Sequence, residues 1–244
     1  MEYGDKSWRE HRGEEIREWM NKQVEIIDSI PSNTLQALCY FSLIECFAQE
    51  YSNYPPNGKN AKAFCDYVIQ FQKSYNFLEK IDPVTLFYDH EEAIKEKYDL
   101  SFMSDGCYYF PNDLILRQHT DELVQLLSEC GVTQSKINRH QYVRLLYSLR
   151  SKLSHEAASP SGIMCFKEHP LEDTPYYLSC SRHFYVENQV VDDNVWQLAM
   201  PVGFVKKIFL ECTEGYLQYS FEHKKDPFEN NSLNRKSALT WYDT

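Results

Sequence analysis

Apolar positions along the first third of the chain recur at spacings of three and four, the period of an α-helix rather than the alternation of a strand. In "SWREHRGEEIREWMNKQVEIIDS", residues 7–29, Ile16, Trp19, Met20, Val24 and Ile27 form such a stripe, and "IPSNT" breaks it. A second helix, "LQALCYFSLIECFAQEY", is apolar around most of its circumference, which predicts a central position, with Asn33 or Thr34 as its cap. "SNYPPNG" ends it. A third helix is predicted from about Ala61 to Ile81, with Phe64, Tyr67, Val68, Phe71, Tyr75 and Phe77 or Leu78 inward. Asp82 before Pro83 is a cap and first-turn signature that opens a further helix, "VTLFYDHEEAIKEKY".

The middle of the chain is more broken. "DLSFMSDGCYYFPND" reads as an ordered loop whose Tyr108, Tyr109 and Phe110 anchor it to the core. "NDLILRQHTDELVQLLSECG" reads as a helix closed by Gly131. Thr133 or Ser135 opens a helix running to about Ala157, stopped by "ASPSG". "GIMCF", "YYLSCS" and "FYVENQVV" are β-branched and aromatic runs, which predict a small antiparallel hairpin or three short strands. Pro201 then starts a last long helix, and the chain from Lys224 is polar. The expected fold is mainly α: one helical domain over residues 1–223, a β-rich insertion at about 160–192 before the last long helix, and a polar, loose tail over 224–244.

Composition supports this picture. Eight glycines in 244 residues are few for a barrel or sandwich full of tight turns, and 43% hydrophobic content suffices for a sizeable core. The net charge of -11 argues against a protein that coats duplex DNA, because that binding rests on many lysine and arginine contacts to phosphate. The eight cysteines are never closer than seven residues, so no C-x-x-C pair exists, and they are expected as reduced thiols. No apolar run of membrane-spanning length and no secretory signal is present, so a cytoplasmic location away from membranes is expected. No glycine loop that would cradle phosphates occurs, and no cofactor is expected. Cys165, Cys180 and His183 lack further ligands at metal spacing, while Glu168, His169 and residues 88–90, "YDH", read as surface.

One stretch stands apart. Between Glu129 and Glu156 the chain holds Lys136, Arg139, Arg144, Arg150 and Lys152, with His140 and His155, and no acid. This is the local basic face an acidic protein needs to approach RNA, although basic residues late in a helix also complement its dipole. Within "LYSLRSKLSHEA", Tyr142, Leu145, Leu146, Leu149 and Leu153 share one stripe at about 100° per residue, and the remaining face is polar. Arg150 and His155 lie about 140° apart around that helix and roughly 7.5 Å apart along it, too far to grip one small group together. Glu156 points about 100° from His155 and reads as helix surface.

"RSKLSH" in this setting, late in a helical arrangement and followed by a final long helix, resembles the R-x(4 to 6)-H signature of the HEPN superfamily. "INRHQYVRLLYSL" and "LAMPVGFVKKIFLECTEGYL" also look like that family's flanking helices. The resemblance implies a helical bundle and a metal-independent endoribonuclease acting as a homodimer, with Arg150, His155 and Ser151 from both copies in one composite site. Arg144, Tyr147, Lys152 and Ser154 flank these residues as expected substrate contacts, with a place in the dimer interface an equal reading of Tyr147. A role in defence, with a regulatory or antitoxin protein as partner, is likewise implied only by the family. Two departures stand: Ser151 follows the arginine where many members carry Asn, Asp or His, and Ala157 replaces the tyrosine of the nucleotidylated variant.

The chemistry suits RNA cleavage. A ribose 2′-hydroxyl must lose a proton to attack the adjacent phosphorus, and histidine, with an ordinary pKa near ~6.5, exchanges protons at neutral pH. A guanidinium stays charged and can hold two phosphate oxygens as negative charge builds. A two-fold axis would bring together the groups a single helix holds apart. The alternative from the same residues is a non-catalytic helical module that binds RNA, a nucleotide or a protein partner through the basic face.

Overall fold

The computed structural model describes residues 6–53, 59–90, 108–109, 125, 127–129, 131–156, 163–165, 173–186 and 189–228. It is mainly helical with a small sheet ahead of the last long helix, as the periodicity predicts. The chain divides into two compact units, Met1–Ser74 with Lys206–Thr244, and Tyr75–Val205.

The first unit is built from α1 (Lys6–Asp28), α2 (Asn33–Tyr51), α3 (Asn60–Phe71) and most of α7 (Val202–Glu222). Ser32, one residue before the expected pair, caps α2: its side chain accepts from the Leu35 amide at 3.4 Å. Ile16, Met20 and Ile27 of the α1 stripe are buried, as their spacing predicts, whereas Trp19 is exposed and Val24 half-buried, and α2 buries Tyr40, Phe41, Ile44 and Phe47 completely. The core is strongly aromatic. Phe47 meets Phe209 at 6.4 Å and Tyr216 at 6.1 Å between ring centroids, and Tyr67 meets Tyr216 at 5.9 Å. The two pairs with Tyr216 are edge-to-face, which adds directional attraction to the burial of area. Helices α3 and α7 approach closely at Gly215, where a Cβ would stand 3.1 Å from the Phe71 carbonyl oxygen.

Helix α3 ends at Phe71, ten residues before the apolar spacing stops. Gln72 turns extended, and the Glu211 carboxylate accepts from the amides of Lys73 and Ser74, both at 3.1 Å, and from the Ser74 hydroxyl. These bonds, charge-assisted and therefore strong, satisfy amides that a longer helix would have paired internally. Hydrogen bonds and the nearby Lys207 outweigh burial and hold the Glu211 carboxyl below its usual range. At the start of the expected tail Lys224 and Lys225 are exposed, but Pro227 and Phe228 pack: the Tyr216 hydroxyl donates to the Pro227 carbonyl at 3.0 Å, and Phe228 meets Phe47 at 5.2 Å. Residues 229–244 of the expected tail lie outside the described residues.

The second unit holds α4 (Pro83–Asp89), β1 (Tyr108–Tyr109), α5 (Gln134–Ile137), α6 (Tyr142–Glu156), β2 (Ile163–Cys165), β3 (Tyr176–Val186) and β4 (Gln189–Met200). The sheet order is β1-β3-β4-β2. The hairpin β3–β4 is antiparallel from Tyr176 opposite Ala199 to Val186 opposite Gln189, and β2 runs parallel to β4. Strand β3 is one continuous element where two runs were expected, and Tyr108–Tyr109 forms an edge strand on β3 where a loop was expected. Around the base of the hairpin, Tyr75, Phe77, Tyr142, Tyr176, Tyr177 and Phe204 are buried, with Phe204 at 4.8 Å from Tyr75 and 6.2 Å from Phe77. The continuation of α4 past His90 and most of the predicted helix at 112–131 lie outside the described residues. At its end, Gly131 has φ +78, and the amides of Gly131 and Val132 return to the carbonyls of Ser128 and Leu127. Glycine takes up that left-handed closure at no steric cost.

Candidate functional site

The basic segment is not one helix. Helix α5 passes into a 3-10 turn at Asn138–His140, and Gln141 is extended before α6 begins. The interruption comes from partners supplied by residues 78–82. The amides of Tyr142 and Val143 donate to the carbonyls of Lys80 and Leu78 at 3.1 and 3.0 Å, and the Asp82 amide donates to the His140 carbonyl at 2.8 Å. First-turn amides have no partner within their own helix, so the chain gains these bonds by breaking at Gln141.

From there α6 follows its predicted wheel. Tyr142, Leu145, Leu146, Leu149 and Leu153 are buried, joined by Val143. Each such side chain contributes roughly 1.5–3 kcal/mol of gross transfer free energy, which fixes the rotation of the helix and the direction of its polar face.

On that face Arg150 is half-buried, with its guanidinium carbon 5.9 Å from the centre of the Tyr147 ring. Partial burial lowers its pKa from the ordinary arginine value. Ser151 and Tyr147 are half-buried, whereas Ser154 and His155 are exposed. Arg144 is exposed and donates through Nε to Gln141 Oε1 at 3.1 Å. Lys152 is engaged with Glu156, one turn on, at 2.6 Å. The basic face is therefore narrower than the sequence predicts, because Lys152 is offset by a carboxylate just past the acid-free window. His140 leaves it altogether. It is buried, with Nδ1 3.1 Å from Thr85 Oγ1 and Nε2 3.3 Å from Asp89 Oδ2.

His140 belongs to a polar network that sequence reasoning missed. Fully buried Asp82 accepts from the Thr85 amide at 2.7 Å, which caps α4, and from the Tyr177 hydroxyl. Tyr177 and Tyr142 share a hydroxyl–hydroxyl bond of 2.8 Å. Burial, reinforced by Asp82, pushes both phenols well above their ordinary pKa, so they act as neutral hydrogen-bonding groups. Burial lowers the His140 pKa against the opposing pull of Asp89 and Asp82, and His90 stands edge-on at 6.1 Å. In the "YDH" segment Asp89 is exposed, as expected, and reaches the buried histidine from the surface, while His90 is half-buried. The Asp82–Pro83 signature marks the capping role; the pairing with Tyr142 and Tyr177, 60 and more residues away, has no local signal.

Cys39, Cys46 and Cys212 are free thiols. Burial raises the pKa of Cys46 and Cys212, which suits packed hydrophobes rather than nucleophiles. Among the described residues no three or more His, Cys, Asp and Glu side chains converge as a metal site, and no helix is long and apolar enough to cross a membrane. The side chains of Cys165, Cys180 and His183, and residues Glu168 and His169, lie outside the described set. Compared with protein-family models, curated proteins and solved structures, the chain matches none.

Proposed function

We propose that this chain is a metal-independent endoribonuclease of HEPN type, with a composite site formed where two copies of α6 meet. The observation that carries the reading is the state of Arg150: a partly desolvated guanidinium seated by the Tyr147 ring, on the same polar face as exposed His155. Desolvation strengthens its attraction for a phosphate, since a charge acts further in a lower effective dielectric. In this mechanism the neutral His155 of one copy takes the 2′-hydroxyl proton, and the 2′-oxygen bonds to phosphorus. The bond to the 5′-oxygen breaks, and the protonated His155 of the second copy supplies its proton. Arg150 holds the non-bridging oxygens, and Ser151 donates its hydroxyl to the phosphate. The products are a 2′,3′-cyclic phosphate and a 5′-hydroxyl. Arg144 and Ser154 line the approach of the RNA, with Tyr147 behind Arg150.

A second reading is favoured by the Lys152–Glu156 ion pair, which offsets the charge of Lys152 and weakens the basic face. In it the same face binds RNA, a nucleotide or a protein without cleaving. The two separate when the purified protein is incubated with mixed RNA in EDTA beside Arg150→Ala and His155→Ala variants, with product ends and dimerisation measured. Cleavage to cyclic phosphate by the wild type alone supports the nuclease. No cleavage by a folded, dimeric wild type favours the binding module, and cleavage that survives both substitutions removes α6 as the site.

A further inference from the structure

A pocket of about 250 Å³ lies within the first unit, between the last turn of α2 and the C-terminal half of α7, with Glu50, Tyr51, Tyr216, Tyr219, Lys225 and Asp226 in its lining. Its volume falls below the range usual for drug-sized ligands, so it suits a group of few heavy atoms. Three tyrosines give it an angular aromatic wall. The Tyr51 ring stands at 82° to Tyr216 and at 77° to Tyr219, with centroids 6.1 and 5.8 Å apart.

Aromatic faces carry negative potential, and rings set at right angles around a small space are the arrangement by which proteins hold ammonium groups. The polar lining has the same sign. Glu50 is 2% exposed and Asp226 is partly buried, whereas Lys225 is exposed and its charge is screened by solvent. Arg12 approaches Asp226 at 3.4 Å and offsets part of its charge. The wall is preorganised: the Tyr216 hydroxyl is tied to the Pro227 carbonyl, and the Lys225 amide to the Ser220 carbonyl at 2.8 Å. Burial, then the neighbouring carboxylates, hold the Tyr216 phenol well above its ordinary range.

We infer that this pocket binds a small organic cation of the alkylammonium class, seated against Tyr51, Tyr216 and Tyr219 with Glu50 and Asp226 as counter-charges. An anion meets two carboxylates there, offset by exposed Lys225, and a neutral group of the same shape gains no charge attraction to Glu50, Asp226 or the rings. The site is independent of α6 and of the chemistry proposed for it.

The test is titration of the full-length protein with tetramethylammonium, followed by NMR shifts of the tyrosine rings, beside tert-butanol as a neutral partner of similar shape. Tyr219 is half-buried with its ring against Tyr51 and Phe71, so circular dichroism first verifies that Tyr219→Phe and Tyr219→Leu keep the fold. Saturable binding that tert-butanol does not reproduce, retained in Tyr219→Phe and weakened about fivefold or more in Tyr219→Leu, supports the proposal. Equal binding of tert-butanol, no saturation at tens of millimolar, or equal affinity in folded Tyr219→Leu overturns it.

Discussion

Replacing Asp82 by alanine tests whether one carboxylate joins α4 to the base of the hairpin. The side chain makes two kinds of contact: it caps α4 through the Thr85 amide at 2.7 Å, and it accepts from Tyr177, which is bonded in turn to Tyr142. Loss of a cap costs about 1 kcal/mol. Loss of the acceptor leaves one phenol proton of the Tyr142–Tyr177 pair buried without a partner, at about 1–3 kcal/mol. The sum, about 2–4 kcal/mol, is a large part of an ordinary domain's stability of roughly 5–15 kcal/mol. Tyr177→Phe removes the same contact from the other side and costs about 1–3 kcal/mol. Because both substitutions break one shared bond, the double variant falls short of the summed losses by about 1 kcal/mol or more. Urea unfolding of the four proteins, with midpoints compared at unchanged slope, measures this coupling. A loss below about 0.5 kcal/mol for Asp82→Ala, or additivity within about 0.3 kcal/mol, refutes the argument.

Two further outcomes follow from single residues. Burial lowers the folded-state pKa of His140, so the unfolded chain binds its proton first: this contribution is fully present above about 6.5 and is lost as pH falls from there through the lowered folded value. Asp89, Asp82, His90 and Arg139 all face that titration, and His140→Gln should flatten the stability profile in this window; an unchanged profile would exclude His140 as its source. Gly215→Ala gains helix propensity, yet its methyl meets the Phe71 carbonyl oxygen at 3.1 Å and Phe71 Cβ at 3.2 Å. A net loss of about 1 kcal/mol, or about 2–4 °C in Tm, is expected from calorimetry, and a raised Tm would mean that α3 and α7 separate without cost.

Helix period was the most legible signal. The stripe of α6 matches its buried residues, and α1 buries Ile16, Met20 and Ile27 of its stripe while Trp19 is exposed and Val24 half-buried, because an apolar face that packs on a core must repeat every 3.6 residues. Boundaries set by distant partners were not legible. Glu211 ends α3 from more than 130 positions away, and Leu78 and Lys80 break the basic segment at Gln141. The candidate site divides in the same way. Which residues of α6 face outward follows from Leu146, Leu149 and Leu153, but the seating of Arg150 by Tyr147 and the neutralisation of Lys152 depend on side-chain packing. His140 shows the limit most clearly: its neighbours in sequence are basic and exposed or polar, while its own surroundings come from Thr85 and Asp89.

The first unit draws its last helix from beyond residue 205, after the whole of the second unit has been translated. Until then Phe47, Tyr67 and Phe71 lack Phe209 and Tyr216, the rings that complete their core. At ordinary ribosomal speeds that interval is on the order of ten seconds, far longer than the microseconds in which helices form. The nascent chain thus carries these rings without their α7 partners while residues 75–205 are made, and α7 is the segment whose arrival completes the core of the unit.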